Sequence, residues 1–354
     1  MYAQIKRLAE SWKVDGHFEK KLLENEEKTL AEYNIKLSKD ILAKFCDKND
    51  LKSFQQCTGP YGNKVCAKFD AYVFSRTFPL IKSVLEQPTS FGRWTKRQHN
   101  RNLLQFSYPE NIFYHFFNTE LSKGCTNQCW FCGLSAPKYE KYYHYDHEVW
   151  CALLRCMQQL LGNDAMQTNL CYWASEPFDN PDYEKFILDY KNVLGVLPYT
   201  QTASAAKNIE RTRAFLKIND EARFQEAGFS VLSKEDLMTI YHNFSAEELE
   251  KIEVRIQFNH KCRHKVCFGR ARKEKKQESA GEYFWTLLGF LVNMVDKKIQ
   301  LTMPAIATDA RPCGGIILDE KYFTTIDDFK EKVELMIKNN MIDKILKSDI
   351  RLLA

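Results

Sequence analysis

This sequence lacks two features that would mark a membrane or exported protein. The opening residues Met1–Leu8 contain no apolar stretch of the kind found in cleavable signals. The longest apolar run, around Phe284–Val295, is too short to cross a bilayer and is interrupted by Asn293. We therefore expect a cytoplasmic protein with no membrane partner.

A strong charge of one sign is also missing. The formal net charge is +5 over 354 residues, whereas a nucleic-acid protein is expected to carry a clustered basic face. The apolar content of 44% is ordinary and the charges are mixed, so disorder is not expected. No internal repeat or low-complexity segment occurs. The length allows one large domain with extensions or two domains, and no nucleic-acid partner is predicted.

Cysteine, in contrast, is abundant, with 12 residues. Disulfides are rare in the cytoplasm, so we expect reduced thiols, some of them metal ligands. Three are spaced C-x3-C-x2-C, in Cys125-Thr-Asn-Gln-Cys129-Trp-Phe-Cys132. Such a loop can hold three corners of a cubane iron–sulfur cluster, which normally takes four cysteines. One iron would then stay open for a small-molecule ligand.

This spacing, with Phe131 just before the third cysteine, resembles the signature of the radical S-adenosylmethionine (radical SAM) superfamily. The resemblance implies a [4Fe–4S] cluster on Cys125, Cys129 and Cys132, with S-adenosyl-L-methionine (SAM) on the open iron. One electron would cleave SAM to methionine and a 5′-deoxyadenosyl radical, which abstracts hydrogen. The wider segment Glu120–Ala136 is similar to radical SAM peptide-maturation enzymes related to the proteusin epimerases, which convert L-residues to D-residues in ribosomally made precursor peptides.

The order of the elements predicts an α/β protein. Residues 1–110 are predicted to be mostly helical. Within them, Lys6–Asp15 resembles the N-terminal stretch of the same family, so it is either an amphipathic packing helix or a contact for a leader peptide. From residue 111 strands alternate with helices. We predict a partial (β/α)6 barrel of the TIM type over residues 111–318 and a C-terminal helical segment over residues 319–354.

The predicted elements of this barrel can be stated by range. Strands are predicted at Asn111–Leu121, Asn169–Ala174, Leu197–Thr202, Phe229–Ser233, Glu253–Phe258 and Ile299–Met303. Helices are predicted at His147–Leu161, Tyr183–Leu194, Asn208–Leu216 and Gly281–Val295, followed by a capped amphipathic helix within Asp319–Met336.

The end of the second predicted strand is a candidate SAM site. Many radical SAM proteins have a Gly-Gly-Glu-Pro-like motif there, which binds the amino group of SAM. Ala174 and Ser175 replace the two glycines, while Glu176-Pro177 match the motif. The resemblance therefore implies SAM contacts at Ala174, Ser175 and Glu176. A plain strand-to-helix turn is the alternative.

Three further residues are candidate cofactor contacts. Ligands of parallel α/β folds lie at the carboxyl ends of strands, so Ser230 is a candidate for the ribose or carboxylate of SAM. Ser233 instead indicates a helix N-cap. By resemblance, Ile256 corresponds to the apolar adenine contact of the superfamily, and Phe131 lies within the cluster motif.

Epimerisation also needs a hydrogen donor, and a cysteine thiol suits a carbon radical. Cys262, Cys267 and Cys313 all follow predicted strand ends on the face where barrel sites form. Cys313 lies in a Pro/Gly loop that allows close approach, whereas basic neighbours of Cys267 favour thiolate, a poorer donor. Cys313 therefore ranks first. Buried structural cysteine is the alternative for each, and a second cluster is another.

The predicted function is thus a radical SAM peptide epimerase. It would act on a ribosomal precursor peptide with an external electron donor of the flavodoxin or ferredoxin type. Peptide backbone splicing, which excises part of a tyrosine and leaves a β-amino acid, would start in the same way. A radical SAM enzyme acting on a small metabolite is a third possibility. A different class is a zinc-stabilised binding module, for example for RNA, in which Cys262 and Cys267 complete the zinc site.

Overall fold

The computed structural model describes residues 2–38, 42, 78–105, 114–220, 227–258, 268–273 and 286–341. The chain divides into two compact units, each built from two separate stretches of sequence. Unit 1 contains Met1–Ser75 and Gln201–Lys265, and unit 2 contains Arg76–Thr200 and Val266–Ala354. These units do not coincide with the segments 1–110, 111–318 and 319–354, which stay predictions.

The helices and strands of the described residues follow in chain order. The helices are α1 (Tyr2–Val14), α2 (Phe18–Glu24), α3 (Glu26–Glu32), α4 (Ser90–Gln105), α5 (His147–Leu161), α6 (Asn163–Gln167), α7 (Tyr183–Leu194), α8 (Ile209–Asp220), α9 (Lys234–Asn243) and α10 (Ile326–Asn340). Residues 78–86 are also helical. The strands are β1 (His115–Glu120), β2 (Ser122–Lys123), β3 (Lys141–Tyr142), β4 (Thr200–Thr202), β5 (Ala227–Val231), β6 (Ile252–Ile256), β7 (Leu287–Asn293), β8 (Lys298–Pro304) and β9 (Gly315–Tyr322). Short 3-10 turns lie at Pro177–Asp179 and Gly269–Lys273.

In unit 1 the N-terminal helix α1 is anchored by buried polar side chains. Arg7 is 2% exposed and donates to the carbonyl oxygens of Phe244 (2.9 Å) and Asn34 (3.2 Å). Lys6 donates to the carbonyl oxygen of Leu249 at 3.2 Å. Paired in this way, the two cations are held without the cost of leaving a buried charge unsatisfied. The predicted helix is present, and its buried face packs within unit 1.

A three-stranded sheet has the order β4-β5-β6, and all of it except Thr200, the first residue of β4, belongs to unit 1. Strands β5 and β6 are parallel, with Ser230 opposite Arg255 and Val231 opposite Ile256. Ser233 caps α9, because its hydroxyl accepts a hydrogen bond from the backbone N–H of Asp236 at 3.0 Å. The N-cap interpretation of Ser233 is therefore confirmed.

Unit 2 is built on a four-stranded mixed sheet in the order β1-β7-β8-β9. Strand β7 is parallel to β1 and antiparallel to β8, and β8 is antiparallel to β9. On the other side of β1, isolated parallel bridges link Asn118 to Leu170 and Leu170 to Tyr199. Helices α5 and α7 pack on each other, and α10 packs on α5 and β9. Strand β1 of this sheet ends at Glu120, shortly before Cys125, the first cysteine of the C-x3-C-x2-C motif.

Two predicted helices of unit 2 are wrong in part. Residues Leu287–Asn293, predicted within the helix Gly281–Val295, form β7, and all seven are buried. A strand that is buried on both faces has apolar residues at every position. Its sequence therefore shows no period of two and cannot be distinguished from a buried helix by periodicity. The predicted C-terminal helix Asp319–Met336 begins too early, because residues up to Tyr322 pair with β8. The helix proper begins at Ile326.

Several other predicted elements agree with the structure, and one predicted strand does not. Helices α5 and α7 have the predicted bounds. The predicted strand Asn169–Ala174 is reduced to the bridges of Leu170. The α/β class is confirmed, and the described parts of residues 1–110 are mainly helical. Within the described ranges, no helix combines the length and apolar character that crossing a membrane requires.

Candidate metal and cofactor site

The cysteine loop, residues 125–132, begins at a backbone contact that only glycine permits. In the segment between β2 and β3, the N–H of Cys125 donates to the carbonyl oxygen of Pro137 at 2.9 Å. Gly124 has a φ of +79°, and a Cβ there would lie 2.1 Å from the carbonyl oxygen of Lys138. A residue with a side chain would clash with this backbone. Gly124 therefore sets the direction in which the first cysteine enters the loop.

The side chain of Gln128 links the two ends of the cysteine segment by hydrogen bonds. Its side-chain amide donates to the carbonyl oxygens of Cys125 and Pro137, both at 2.7 Å. The N–H of Cys132 donates to the carbonyl oxygen of Cys129 at 3.2 Å, which forms a turn around the second and third cysteines. These carbonyl oxygens are therefore hydrogen-bonded by groups of the loop itself.

Arg270 holds the loop from the side of the 3-10 turn Gly269–Lys273. Its Nε donates to the carbonyl oxygen of Cys129 at 3.0 Å, and its Nη1 donates to that of Ala136 at 2.8 Å. Its backbone N–H donates to the carbonyl oxygen of Cys132 at 3.0 Å. Its Nη2 is buried and has no hydrogen-bond partner among the described residues. This guanidinium places a positive charge against the loop, where it would offset the negative charge of thiolates.

The three thiols influence one another electrostatically. Burial raises the pKa of the Cys125 thiol, although backbone N–H groups of Asn127 and Gln128 lower it. Burial, together with negative charge on Cys125, Cys132 and Glu176, raises the pKa of the Cys129 thiol to about 11. Neighbouring thiolates repel one another, so a bound cation would stabilise them, and thiolate is the form that binds metals. The donor set fits a metal or an iron–sulfur cluster.

The turn after residue 174 is joined to the cysteine loop by hydrogen bonds. The side-chain amide of Asn127 donates to Glu176 at 2.7 Å. Thr126 donates to the carboxylate of Asp179 through its N–H (2.9 Å) and its hydroxyl (2.6 Å). Glu176 is only 3% exposed and also accepts from the N–H of Phe178 at 3.3 Å. The loop and the turn therefore form one site.

Ala174 and Ser175 lie half-buried at this turn. The N–H of Ala174 donates to the carboxylate of Glu120 at 3.3 Å, and that of Ser175 donates to the carbonyl oxygen of Trp173 at 2.9 Å. Asn293 also donates to Glu120, at 2.7 Å. Since both N–H groups are engaged, a cofactor contact at Ala174 or Ser175 would use their carbonyl oxygens or the Ser175 hydroxyl. Burial raises the pKa of Glu120.

Of the three candidate hydrogen donors, Cys313 lies within the described residues, while Cys262 and Cys267 lie outside them. Burial raises the pKa of the half-buried Cys313 thiol, and the charge of Cys132 also raises it, whereas a hydrogen bond with Ser135 partly offsets this rise. Cys313 is therefore a fourth sulfur in the surroundings of the loop. Its role as a hydrogen donor stays a prediction.

The remaining predicted cofactor contacts divide between the units. Phe131 is half-buried in the cysteine loop of unit 2, with its ring edge-on to Trp130 at 5.4 Å between centroids. Ser230 and Ile256 lie on the paired strands β5 and β6 of unit 1. The Ser230 hydroxyl accepts a hydrogen bond from Gln201 at 3.0 Å, and Ile256 is 5% exposed. Their roles toward SAM stay predictions.

The sequence analysis identified the candidate metal ligands of the loop but missed the residues that support its structure. These are Gly124, Gln128, Arg270, Asn127 with Asp179, and Glu120. No spacing rule links Arg270 to Cys129, because they are far apart in the chain and meet only in the fold. Gly124 carried a signal, since glycine directly before a turn favours a positive φ.

Comparisons with known proteins do not assign the chain to a family. No protein-family model matches it. It is similar to the uncharacterized protein y4wI of Sinorhizobium fredii (strain NBRC 101917 / NGR234), with 36% identity over 269 residues. The match covers 72% of this chain and 52% of the relative, so the chain spans about half the length of the curated relative it matches.

One similar solved structure is the crystal structure of BtrN in complex with AdoMet and 2-DOIA. The sequence identity is 13% and the TM-score 0.41, over 68% of this chain and 87% of that one. A likeness of this size supports no conclusion about function.

Proposed function

We propose that this chain is a radical SAM enzyme that modifies a ribosomally made precursor peptide, with L-to-D epimerisation as its reaction. The observation that carries the proposal is the cysteine loop. Its C-x3-C-x2-C thiols are half-buried, its backbone is tied by Gln128 and Arg270, and it is bonded to the turn of Glu176. The resemblance of these same residues to the superfamily supports the chemistry.

The residues take the following roles in this proposal. Cys125, Cys129 and Cys132 would hold a [4Fe–4S] cluster, which, once reduced by the external electron donor, would supply the electron for the cleavage of SAM. Arg270 offsets the charge of the thiolates, and Gln128 and Gly124 keep the loop in place. Within the proposal, the strands of the chain form the partial (β/α)6 barrel expected from the sequence.

The loop and the cofactor can be tested without knowing the substrate. Protein purified without oxygen and reconstituted with iron and sulfide should contain a [4Fe–4S] cluster whose EPR spectrum changes when SAM is added. With a chemical reductant or a flavodoxin-type donor it should release methionine and 5′-deoxyadenosine. A protein that holds zinc but no cubane, or that leaves SAM intact, contradicts the proposal.

The reaction type needs a candidate precursor peptide, sought in the open reading frames next to the gene. Incubation in heavy water should add one mass unit at each epimerised residue, because a donor thiol exchanges its hydrogen with solvent. Cys313→Ala, Cys267→Ala and Cys262→Ala should be compared with Cys156→Ala, a buried thiol on α5. A product with a shortened backbone instead indicates splicing. If none of the three variants changes yield or stereochemistry, the donor assignment is wrong.

A structural zinc site is the second candidate, and the position of Cys313 favours it. With the three cysteines of the loop, Cys313 would complete the four thiolates that structural zinc sites often use. Cys313→Ala distinguishes the two, because it removes a zinc ligand but leaves all three cluster ligands in place.

A further inference from the structure

A second group of potential metal ligands lies on helices α5 and α7. We name it the helix cluster: His147 and Cys151 on α5 and Asp189 on α7. In the part of the chain that the structure describes, the ligand atoms of these three residues all lie within 4.8 Å of one another. His147 Nδ1 lies 2.8 Å from Asp189 Oδ2 and 3.7 Å from Cys151 Sγ. The Cys151 thiol also hydrogen-bonds Asp189.

Local structure explains why these side chains meet. His147 and Cys151 are four residues apart, so they project from the same face of α5. Trp150 joins α5 to α7 by donating its indole N–H to the carbonyl oxygen of Phe186 at 3.0 Å. Asp189 lies almost one turn further along α7, which brings its carboxylate to the His–Cys face.

The burial of the cluster is uneven in a way that suits a binding site. Cys151 and Asp189 are 3% and 5% exposed, whereas 62% of the His147 side chain is exposed. Two ligands thus form a fixed inner wall, and the third stands at the surface. An ion can therefore reach the cluster from solvent at His147.

The convergence on one ring nitrogen argues against a catalytic relay. In a nucleophilic triad, one nitrogen of the imidazole faces the nucleophile and the other faces the carboxylate. Here Cys151 and Asp189 both approach Nδ1, and the Tyr145 hydroxyl lies 3.2 Å from the same atom. One nitrogen cannot hydrogen-bond all three well, but an ion can sit among their donor atoms.

We propose that the helix cluster binds a single zinc ion through His147 Nδ1, Cys151 Sγ and Asp189 Oδ2, with water as the fourth ligand. Sulfur, nitrogen and carboxylate oxygen are the ligands that zinc takes in proteins. In a tetrahedral site with Zn–N and Zn–S bonds of about 2.0 and 2.3 Å, nitrogen and sulfur lie roughly 3.5 Å apart. The observed Nδ1–Sγ distance of 3.7 Å is close to this. The hydrogen-bonded Nδ1–Oδ2 distance of 2.8 Å has to widen to roughly 3.3 Å when the ion replaces the proton between them. On binding, the thiol proton now shared with Asp189 leaves to solvent, and the proton that Nδ1 donates to Asp189 either leaves to solvent or is replaced by one on Nε2, so that Nδ1 is free to bind the ion.

Tyr145 is a positioning residue for this site. Its hydroxyl donates to Asp189 Oδ2 at 2.6 Å, which orients the carboxylate as partners of metal ligands commonly do. Its loss should weaken metal binding without removing a ligand. The helix cluster lies outside the cysteine loop and its bonded turn, so this proposal does not depend on the proposed enzymatic function.

The test uses the full chain with Cys125, Cys129 and Cys132 changed to Ala, so that the cysteine loop cannot take up metal. Zinc bound per chain and its affinity are measured by competition with a chromophoric chelator. Cobalt replaces zinc in a parallel titration, because a cobalt–thiolate absorption band reports on Cys151. Into this background go His147→Ala, Cys151→Ala, Asp189→Asn and Tyr145→Phe, with the exposed neighbour His144→Ala as the matched control.

The parent and His144→Ala should bind one more equivalent of zinc than His147→Ala and Cys151→Ala. The cobalt–thiolate band should disappear in Cys151→Ala. Tyr145→Phe should bind about tenfold to a hundredfold more weakly. Zinc should raise the Tm of the parent but not that of His147→Ala, whose exposed side chain can be removed without disturbing the fold.

If His147→Ala and Cys151→Ala bind the same number of zinc ions with the same affinity as the parent, the helix cluster is a hydrogen-bonded network only, and the proposal is wrong. If the buried Asp189→Asn does not fold, the result is decided by His147→Ala and Tyr145→Phe.

Discussion

The cysteine loop and the helix cluster offer sulfur ligands in two different ways. The three thiols of the loop come from eight consecutive residues, and backbone carbonyls bonded to Gln128 and Arg270 fix their positions. The three side chains of the helix cluster come from two helices that are separated in the chain. They are held by packing between α5 and α7 and by hydrogen bonds among themselves.

This difference determines how each region should respond to change. The ligands of the cysteine loop depend on the residues that hydrogen-bond or shape its backbone, including Gly124 and the distant Arg270. A ligand set built on helix faces depends on helix packing, and single ligands can be exchanged without altering the backbone. The predictions below separate these two cases, in order of decreasing expected effect.

Loss of one cysteine of the loop should have the largest effect. With Cys129→Ala, iron and sulfide in anaerobically reconstituted protein should fall on the order of tenfold or more, because a cubane held at only two corners does not persist. Cys156→Ala, which removes a buried thiol elsewhere in unit 2, should retain the iron of the parent. Equal iron in both variants would place the cluster outside the loop.

Removal of Arg270 should come next. In Arg270→Met the carbonyl oxygens of Cys129 and Ala136 lose their charged donor, and iron release to a chelator should be roughly tenfold faster. Arg270→Lys keeps the charge but not the fork, so it should be intermediate. Arg213→Met removes a more exposed arginine that pairs with Glu248 and should leave iron release unchanged. If iron release is equally fast in Arg270→Met and Arg213→Met, the loop does not need Arg270 for its stability.

The glycine at the entry of the loop can be compared with a glycine at a helix end. Gly124 and Gly195 have nearly the same φ, +79° and +78°, but a Cβ at Gly195 meets nothing within 4 Å. Gly195→Ala should lower the free energy of unfolding by about 1 kcal/mol for the left-handed backbone alone. Gly124→Ala adds a backbone clash and should cost about 3 kcal/mol. Urea unfolding measures both, and equal losses would remove the steric argument at Gly124.

The strand that leads into the loop should make unit 2 sensitive to acid. Burial lowers the pKa of His115 on β1 from 6.5 to about 4, and its ring hydrogen-bonds the carbonyl oxygen of Thr168. The unfolded chain takes up this proton first, so stability is complete above pH 6.5 and declines as the pH falls toward 4. The contribution is at most about 3 kcal/mol.

This effect is measured as the pH dependence of unfolding free energy between pH 6.5 and 4. His115→Gln should have a shallower slope than the parent, while His144→Gln, at an exposed position, should keep the slope of the parent. Identical slopes for all three proteins would mean that His115 is protonated at the same pH in the folded and unfolded chain.

Several features were predictable because they depend on residues close in the sequence. The bounds of α5 and α7 follow from helical periodicity ended by glycine, at Gly162 and Gly195. The cap at Ser233 follows from its hydroxyl before a helical run. The cysteine loop could be found because its three ligands fall within eight residues. In each case the interaction is local, so the sequence pattern contains it.

Other features were missed because they depend on what covers a segment. The run Leu287–Asn293 is apolar throughout, and its parallel pairing with β1 and antiparallel pairing with β8 make it a strand. Residues Asp319–Tyr322 were predicted as the start of the C-terminal helix because they are mostly charged, but pairing with β8 makes them the end of β9. The intrinsic secondary-structure propensity of a segment carries no information about the strand with which it pairs.

By itself, the sequence determined the α/β class, the principal helices of unit 2 and a loop with three thiols in ligand spacing. Only the tertiary structure brought Arg270 to the carbonyl of Cys129, Asn127 to Glu176, Cys313 toward Cys132, and Asp189 to His147 and Cys151. The physical reason is chain distance. Hydrogen bonds and ligand geometry act over a few ångströms, and residues far apart in the chain reach that range only through the packing of the elements that carry them.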